Sequence, residues 1–272
     1  MSQTLYSNSR ITITETNFIV PNWILNDVGY FYPEIYDFIN DETEILATFD
    51  ICYKEKFVQL RKQIYWLCNW YDELIESNIP IIKSEIFSID TKLENNMEMI
   101  LSKILVDKDL KFIRLCNASP KDVSVCIANC ETDINSIINI FKTSHRTNYM
   151  LDGDHAHLVV RPFVKIDYEL RCFWHNHKLR AVSGPEYYVN DFDQERIKNM
   201  IENFFKKYGS EIVYNSVTID IGICSDSVFI IEFNSFGPDM LAGAEHFNWN
   251  SDFMTIFNSN KVVYKFKNEF AW

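Results

Sequence analysis

The sequence has few glycines and no glycine-rich phosphate loop. Seven of its 272 residues are glycine, and neither a G-x-x-x-x-G-K nor a G-x-G-x-x-G pattern occurs. Such loops hold nucleotide phosphates on backbone amides at the start of a helix. If this chain binds a nucleotide, lysine and arginine side chains must therefore hold the phosphates.

The chain also lacks an excess of basic residues and a long apolar run. It carries 26 Lys and Arg against 38 Asp and Glu, which gives a net charge of -12. A general nucleic-acid surface is therefore not indicated, whereas a basic protein partner or a metal nucleotide suits this charge. No apolar stretch reaches the length of a membrane span, and the first ten residues lack the apolar segment of a signal peptide. We predict a cytoplasmic protein with no membrane association.

Cysteine and histidine form no disulfide or zinc pattern. The chain has seven cysteines, an odd number, and no two of them form a C-x-x-C pair. Most of them lie among apolar neighbours in the sequence. This is typical of reduced core thiols in a cytosolic protein. His155 with His157, and His175 with His177, each resemble half of a zinc site, but no further Cys or His cluster completes either pair.

Hydrophobic periodicity predicts a mixed fold of helices and antiparallel hairpins. Helices are predicted over residues 55–77, with a break near Asn69, and over 95–108, 132–150 (capped by Thr132 or Asp133) and 194–209. Strands are predicted over 10–20, 79–89 and 111–115. Residues 157–183 are predicted as one strand, a break at Pro162 and a hairpin that turns at Asn176-His177, and residues 216–234 as two strands joined by a short turn. The fold class is therefore α+β. With 47% hydrophobic residues, the chain can form one large domain or two intimate ones.

The predicted hairpin at 216–234 separates an apolar face from a polar one. With a turn at 225–227, Cys224 faces Val228 and Asp220 faces Glu232. One face then carries apolar side chains only: Val217, Ile219, Ile221, Ile223, Phe229, Ile231 and Phe233. Asp220, Glu232 and Asn234 share the other face. A two-residue turn would shift the register and separate Asp220 from Glu232.

The polar face of this hairpin has the donor set of a magnesium site. Two neighbouring carboxylates repel each other unless a proton or a cation lies between them. Carboxylate and amide oxygens are hard ligands that suit Mg²⁺, which keeps open positions for substrate phosphates. We therefore predict Asp220, Glu232 and Asn234 as metal ligands. The alternative is a solvated polar face on a half-buried sheet, which gives the same sequence pattern.

Basic residues precede the hairpin on predicted strands and in one stiff loop. They are Arg114 in KFIRL, Lys121 after the proline of SPKD, Arg161 in VVRPF and Arg171 in YELRCF. An arginine among apolar residues is costly to bury unpaired, and cations on rigid elements are what a metal nucleotide requires. For Arg171 the alternative is a structural pair with Glu169 or Asp167, which lie on its face of the strand.

Five segments carry motifs that occur together and in this order in a known family. They are CNWYDELIESNIPIIKSEIF, KFIRLCNASPKDV, VVRPFVKIDYELRCFW, VTIDIGI and IIEFNSFG, within roughly residues 66–255. They resemble the eukaryotic cell division cycle protein 123 family of the ATP-grasp superfamily, and SPKD and LRCF are specific in that order. The family has lysine at Arg114, aspartate at Glu232, proline at Ser235 and Gln-Arg-Asp at residues 184–186.

The resemblance implies an ATP-grasp-like fold in which two lobes with antiparallel sheets clasp a nucleotide, with ATP and Mg²⁺ as cofactors. The lobes would span 66–160 and 161–272, after a variable segment at 1–65. Carried over, the family's site comprises Arg114 and Lys121 at the phosphates, the hinge 160–164 (with Arg161, Phe163 and Val164) at the adenine, and Glu169 and Arg171 completing the nucleotide pocket. Asp220, Glu232 and Asn234 would hold Mg²⁺.

The family acts as an ATP-dependent assembly chaperone for eukaryotic translation initiation factor 2, whose gamma subunit it binds. The resemblance therefore implies a Mg-ATP-binding assembly factor with slow or no turnover. The alternative is an ATP-grasp ligase that joins RNA ends, or a carboxylate to an amine, because a related group uses similar arginine and lysine patterns. A third hypothesis, a degenerate fold kept for binding alone, is opposed by the intact candidate residues. An assembly factor needs an exposed protein-binding face, and a ligase needs an acceptor pocket.

Overall fold

The computed structural model describes most of the chain from residue 67 onward and two short segments before it. The described residues are 10–13, 18–21, 67–90, 95–116, 118–151, 155–184, 193–214, 216–234, 236, 243–248 and 251–266. The predicted helix at 55–77 lies partly outside them, as do Ser235 and residues 185 and 186, where the sequence departs from the family pattern.

Six helices and eleven strands occur in the described part of the chain. The helices are α1 (Leu67–Glu76), α2 (Asn96–Ile104), α3 (Ile134–Thr143), α4 (Asn148–Leu151), α5 (Gln194–Tyr208) and α6 (Phe253–Asn258), with a 3₁₀ turn at Gly209–Glu211. The strands are β1 (Arg10–Ile13), β2 (Phe18–Pro21), β3 (Glu85–Asp90), β4 (Lys111–Leu115), β5 (Ile127–Ala128), β6 (His155–Pro162), β7 (Tyr168–His175), β8 (Leu179–Ser183), β9 (Ser216–Cys224), β10 (Ser227–Asn234) and β11 (Val263–Lys265). None of the described helices is long and apolar enough to cross a membrane.

These elements confirm most of the predicted order and correct four points. Helix α1 is continuous from Leu67 to Glu76, so no break occurs at Asn69 within the described residues. The helix predicted over 132–150 is instead two helices, α3 and α4, separated by residues 144–147. The single strand predicted over 10–20 is instead a pair of antiparallel strands, β1 and β2. Strand β11 pairs in parallel with β8, whereas the sequence predicts antiparallel pairing only.

The chain divides into two units. The first, called here the C-terminal unit, comprises residues 1–65, 77–80 and 166–272, and its described part contains the sheet β10-β9-β7-β8-β11. The second, the N-terminal unit, comprises residues 66–76 and 81–165 and contains the sheet β3-β6-β4-β5. The division falls after residue 165, whereas the sequence places the lobe boundary after residue 160.

One face of the N-terminal sheet packs against α2 and α3. The core includes Ile113 of β4 and Leu158 of β6, with Leu101 of α2 and Phe141 of α3. Helix α3 begins as predicted at Asp133, whose carboxylate accepts hydrogen bonds from the backbone N–H groups of residues 135 and 136. A side-chain cap of this kind satisfies amides that have no partner within the helix.

The core of the C-terminal unit lies between its sheet and α5. Four apolar residues at helical spacing are buried on α5: Ile197, Ile201, Phe204 and Phe205. The ring of Phe205 stacks on Trp174 of β7, with centroids 5.5 Å apart. The β7–β8 turn at Asn176 and His177 has φ angles of 52° and 53°, which confirms the predicted two-residue turn.

Candidate functional site

The turn of the β9–β10 hairpin contains two residues, Ser225 and Asp226. Ser225 has a φ of 53°, and such a positive φ is usual at the first position of a tight hairpin turn. Ser227 therefore pairs with Cys224, and the predicted facing of Cys224 and Val228 is wrong. With this turn alone, each later residue of β10 would be displaced by one position from the predicted register.

A β-bulge removes the displacement before β10 reaches its polar residues. The register shifts between Ile230 and Glu232, so that Ile231 is the extra residue on β10. Beyond the bulge Glu232 pairs with Asp220. The predicted pairing of the two carboxylates is therefore confirmed, although a bulge produces it instead of a three-residue turn.

The two-residue turn also places Phe229 on the polar face of the hairpin. Phe229 pairs with Gly222, and a Cβ atom at Gly222 would lie 2.6 Å from two carbons of the Phe229 ring. The side chain of Ile166 would lie 3.4 Å from the same point. Ile230, which pairs with Ile221, is fully buried in its place. The predicted position of Phe229 on the core face is therefore wrong, and an apolar surface adjoins the polar residues.

Asp220 lies at the centre of a buried hydrogen-bonded cluster. Arg171 pairs with Asp220 across β7 and β9; its Nε donates to Oδ1 and its Nη2 donates to Oδ2, both at 2.8 Å. Asn234 Nδ2 also donates to Asp220 Oδ2, at 3.0 Å. Asp220 is 2% exposed and Asn234 is 7% exposed, so this part of the hairpin is not a solvated polar face.

Arg171 pairs with Asp220 and not with Glu169 or Asp167, the partners that the structural alternative requires. Asp167 Oδ2 instead accepts a hydrogen bond of 2.7 Å from the backbone N–H of Ser225. Burial alone would lower the pKa of Arg171, but Asp220, followed by Glu245 and Glu232, raises it above its ordinary value. Arg171 therefore supplies the positive charge that offsets the repulsion between the Asp220 and Glu232 carboxylates.

A segment that the sequence analysis did not identify contacts the remaining side of Arg171. The carbonyl of Gly243 accepts a hydrogen bond of 2.8 Å from Arg171 Nη1, and Glu245 Oε1 lies 2.9 Å from the same nitrogen. The next residue is fixed through its backbone, since His246 N donates to Ser183 Oγ at 2.9 Å. The sequence contains no signal for these contacts, because they join an irregular segment to a strand 72 positions away.

The three predicted metal ligands, Asp220, Glu232 and Asn234, lie next to one another on the polar face of the hairpin. Asn234 Nδ2 lies 3.5 Å from Glu232 Oε1 and 3.0 Å from Asp220 Oδ2, and rotation of the amide would present its oxygen instead. Asp220 Oδ1 accepts one hydrogen bond and Oδ2 accepts two, so about one of its four acceptor positions remains. No group of three or more His, Cys, Asp or Glu side chains suited to a metal occurs in the described part of the chain. A metal site here would therefore need the amide oxygen of Asn234 in addition to the carboxylates of Asp220 and Glu232. Carboxylate and amide oxygens are ligands that suit Mg²⁺.

Arg114 and Arg161 share one face of the N-terminal sheet. Arg114 pairs with Val159, and Arg161 pairs with Phe112, two residues before Arg114. Both arginines are buried, at 8% and 4% exposure. Arg114 Nε donates to the carbonyl of Leu115 at 3.0 Å, and the Arg161 guanidinium lies 5.9 Å from the centroid of the Phe112 ring. The sheet thus places two of the predicted cations side by side on the face opposite its core.

Lys121 lies on an exposed loop that is tied down by its neighbour. The carbonyl of Pro120 accepts hydrogen bonds from the backbone N–H groups of residues 123 and 124. Asp122 accepts hydrogen bonds from Ser144 Oγ at 2.5 Å and from His145 N at 2.8 Å. Lys121 itself is exposed, and no described residue forms a hydrogen bond or ion pair with it.

The remaining predicted nucleotide residues occupy the connection between β6 and β7 and the start of β7. Phe163 N donates to the carbonyl of Leu110 at 2.8 Å, and the residue is 40% exposed. Val164 is half-buried, and Glu169 is exposed and pairs with Gly222. The pairing places Glu169 on the same face as Arg171 and Asp220.

A cavity of about 570 Å³ lies within the N-terminal unit at the end of β6. Its lining includes Arg161 and the adjacent hinge residues Val160 and Pro162, with three further acidic and two further basic side chains: Glu85, Asp107, Asp109, Lys83 and Lys111. Acidic and basic residues therefore balance, and Lys111 already pairs with Asp107 at 2.5 Å. Such a balanced lining does not favour a triphosphate.

The described cysteines and His175 have contacts that are typical of residues with a structural role. Five cysteines are free thiols, of which Cys116, Cys126 and Cys172 are buried, as predicted for core thiols. Burial raises the pKa of Cys126 to about 11. His175 Nδ1 lies 2.8 Å from Ser216 Oγ, and its ring stacks on Phe236.

Known proteins resemble this chain over most of its length. The model of the D123 family matches residues 108–267. The putative CDC123-like protein L884 of Acanthamoeba polyphaga mimivirus is 30% identical over 235 residues, which are 73% of each chain. The structure of Cdc123 from Schizosaccharomyces pombe gives a TM-score of 0.62 at 16% identity and covers 77% of this chain and 98% of that chain. The ADP complex of purK, an N5-carboxyaminoimidazole ribonucleotide synthetase, gives a TM-score of 0.47 at 11% identity and covers 74% of this chain and 53% of that chain.

The fold and the site define a class of α+β protein in which one sheet carries a buried arginine–carboxylate–amide cluster. Within this class the chain belongs to the D123 family, that of Cdc123. The predicted resemblance and the predicted α+β fold class are thereby confirmed.

Proposed function

We propose that this protein binds Mg-ATP and acts as an assembly chaperone for eukaryotic translation initiation factor 2 through its gamma subunit. The cluster of Arg171, Asp220 and Asn234 opposite Glu232 carries the proposal, in a chain that belongs to the D123 family. Taking ionised groups out of water is expensive, and hydrophobic residues often replace a buried ion pair without loss of stability. Buried charges of this kind therefore point to a functional site.

The proposed roles follow the chemistry of each side chain. Asp220, Glu232 and Asn234 hold Mg²⁺ through oxygen atoms, and Arg171 binds a phosphate. Bound Mg²⁺ would neutralise charge on the nucleotide phosphates. The resemblance adds Arg114 and Lys121 to the phosphate-binding set. It assigns Arg161, Phe163, Val164 and Glu169 to the rest of the nucleotide.

Glu232 gives a sharper test of this proposal than Asp220. Asp220 holds Arg171 through two hydrogen bonds, so its replacement disturbs the fold as well as the metal site. Glu232 is half-buried, and its Oε1 lies 3.5 Å from Asn234 Nδ2, a longer contact than those of Asp220 with Arg171 and Asn234. Glu232→Gln keeps the size of the side chain and the Arg171–Asp220 hydrogen bonds while it removes one charged ligand.

Calorimetry of the wild type and Glu232→Gln, with ATP in the presence and absence of Mg²⁺, tests the metal and nucleotide roles. We expect magnesium-dependent binding by the wild type, and binding at least about tenfold weaker after loss of one ligand. The control is Glu202→Gln, which removes the same charge where Glu202 accepts a hydrogen bond from Tyr264. Failure of the wild type to bind ATP, or an ATP affinity that is the same with and without Mg²⁺, would refute the proposal.

The partner is tested with recombinant gamma subunit of translation initiation factor 2. We expect a complex on size-exclusion chromatography that is stabilised by Mg-ATP and weakened by Glu232→Gln. If Mg-ATP binds but no complex forms, the assembly role fails. Consumption of ATP in the presence of RNA ends, or of a carboxylate with an amine, would then identify the ligase activity.

A further inference from the structure

The Glu245 carboxylate occupies the side of Arg171 that faces away from Asp220. We propose that Glu245 is an internal competitor of nucleotide phosphate, and that residues 243–245 form a strap which a bound phosphate displaces from Arg171. This inference rests on the proposed nucleotide site. It adds a residue that lies outside the sequence motifs quoted above.

The number of donors on Arg171 makes competition unavoidable. A guanidinium has five N–H donors, and two of them bind the two oxygens of Asp220. Nη1 donates to Gly243 O at 2.8 Å and forms an ion pair with Glu245 Oε1 at 2.9 Å. Hydrogen bonds therefore engage three of the five donors, and Glu245 lies against the nitrogen that carries one of the remaining two. A phosphate that binds Nη1 and Nη2 together must take the place of Glu245, and one that binds Nε and Nη2 must displace Asp220.

Glu245 is the contact that yields more readily. The side chain of Asp220 is 3% exposed and also accepts a hydrogen bond from Asn234. The side chain of Glu245 is 27% exposed, so water can solvate its carboxylate when it leaves. Glu245 also has a φ of 54°, a left-handed conformation that is unfavourable for a residue other than glycine. Release of the strap relieves this conformation, whereas release of Asp220 would leave a buried carboxylate.

The Glu245 carboxylate can form the same kind of hydrogen bonds with Arg171 as a bound phosphate. A carboxylate and a phosphate both accept charge-assisted hydrogen bonds from a guanidinium. Glu245 therefore keeps the outer side of Arg171 neutralised and oriented in the absence of nucleotide. Only molecules in which the strap is open can bind the phosphate. The apparent association constant for the nucleotide is therefore the intrinsic constant multiplied by the open fraction.

Calorimetry of the wild type and Glu245→Gln tests the competition, with Mg-ATP, inorganic tripolyphosphate and adenosine as probes. The glutamine keeps the size of the side chain and removes its charge. We expect Mg-ATP and tripolyphosphate to bind about fivefold to tenfold more tightly, which corresponds to a strap closed in most wild-type molecules. Adenosine has no phosphate, so its affinity should not change. The control Asp226→Asn removes a carboxylate from another arginine pair, Arg196–Asp226 at 2.8 Å, and should change none of these affinities.

The outcomes separate this inference from the proposed function. Equal or weaker binding of Mg-ATP by Glu245→Gln would overturn the strap and make Glu245 a structural tie, while the nucleotide site would stand. Absence of Mg-ATP binding in both proteins would overturn the proposed function and the strap together. Hydrogen exchange provides a test without mutation: in the wild type, the backbone amides of residues 244–247 should exchange faster when tripolyphosphate is added. Unchanged or slower exchange would also overturn the strap.

Discussion

Arg171 and Asp220 are joined by two hydrogen bonds of 2.8 Å, and only 15% and 3% of their side chains are exposed. A second arginine–aspartate pair at the same distance, Arg196 with Asp226, lies in the open, with 42% and 91% of its side chains exposed. The second pair has the same nitrogen–oxygen distance but a single hydrogen bond, and its surroundings are exposed. Because water screens an exposed pair more than a buried one, the exposed pair is a control for the burial and the second hydrogen bond of the Arg171–Asp220 pair.

Asp220→Asn should destabilise the fold because it leaves the buried Arg171 without its main charge partner. Breaking a buried ion pair from one side typically costs about 3 kcal/mol or more. We expect a clear fall in the urea midpoint with an unchanged slope. Asp226→Asn, the matched exposed change, should leave the midpoint close to that of the wild type. Equal shifts in the two variants would show that neither burial nor the second hydrogen bond strengthens the Arg171–Asp220 pair.

Gly222→Ala should destabilise the C-terminal unit because the Phe229 ring occupies the space beside Gly222. The new Cβ would lie 2.6 Å from two ring carbons, so the ring must move. Overpacking of this kind usually costs about 1–3 kcal/mol. Gly243→Ala is the control, since a Cβ added there would lie 3.8 Å from Arg171 Nη1, its nearest atom among the described residues beyond the chain neighbours. Thermal denaturation should show a lowered midpoint for Gly222→Ala only, and full tolerance of both changes would contradict the packing described here.

Ser144→Ala should loosen the loop that presents Lys121. Ser144 Oγ donates to Asp122, and this bond is the first cause of the lowered pKa of that aspartate. Its loss should speed hydrogen exchange at the amides of residues 121–124 and weaken Mg-ATP binding severalfold. Ser124→Ala is the control, because Ser124 Oγ makes only a 3.4 Å contact within the same loop. If the two variants behave alike, Asp122 does not position Lys121 through Ser144.

Features set by local chemistry could be predicted from the sequence. Asp133 begins α3 because a carboxylate next to free backbone amides is a strong cap. The turn at Asn176 and His177 follows from a polar pair between two alternating strands. The α5 helix follows from apolar spacing, and the capping aspartate at 193 accepts from the N–H of Arg196. Each of these features depends on residues within one turn of a helix or one hairpin.

Features that depend on distant or compensating contacts could not be predicted. A bulge at Ile231 and a two-residue turn together restore the pairing of Asp220 with Glu232, and period-two alternation cannot reveal such compensation. The wrong prediction that Phe229 lies on the core face has the same origin. Glu245 lies in an irregular segment whose side chain meets a strand far away in sequence, so periodicity carries no information about it.

His175 should make folding stability sensitive to mildly acidic pH. Burial, followed by Arg180, lowers its pKa from 6.5 to about 4. Between these values the unfolded chain carries a proton that the folded chain does not, so stability falls as the pH falls through this window. The loss contributed by His175 approaches about 1.4 kcal/mol per pH unit there.

His175→Phe isolates this contribution. Phenylalanine keeps an aromatic ring against Phe236, and loss of the 2.8 Å contact with Ser216 shifts stability equally at every pH. Urea denaturation between pH 6.5 and pH 4 should therefore show a shallower pH dependence for His175→Phe than for the wild type. His177→Asn is the control, because His177 lies exposed in the turn and asparagine tolerates its positive φ. A wild-type slope that His175→Phe leaves unchanged would mean that His175 takes up its proton within the fold as readily as in the unfolded chain.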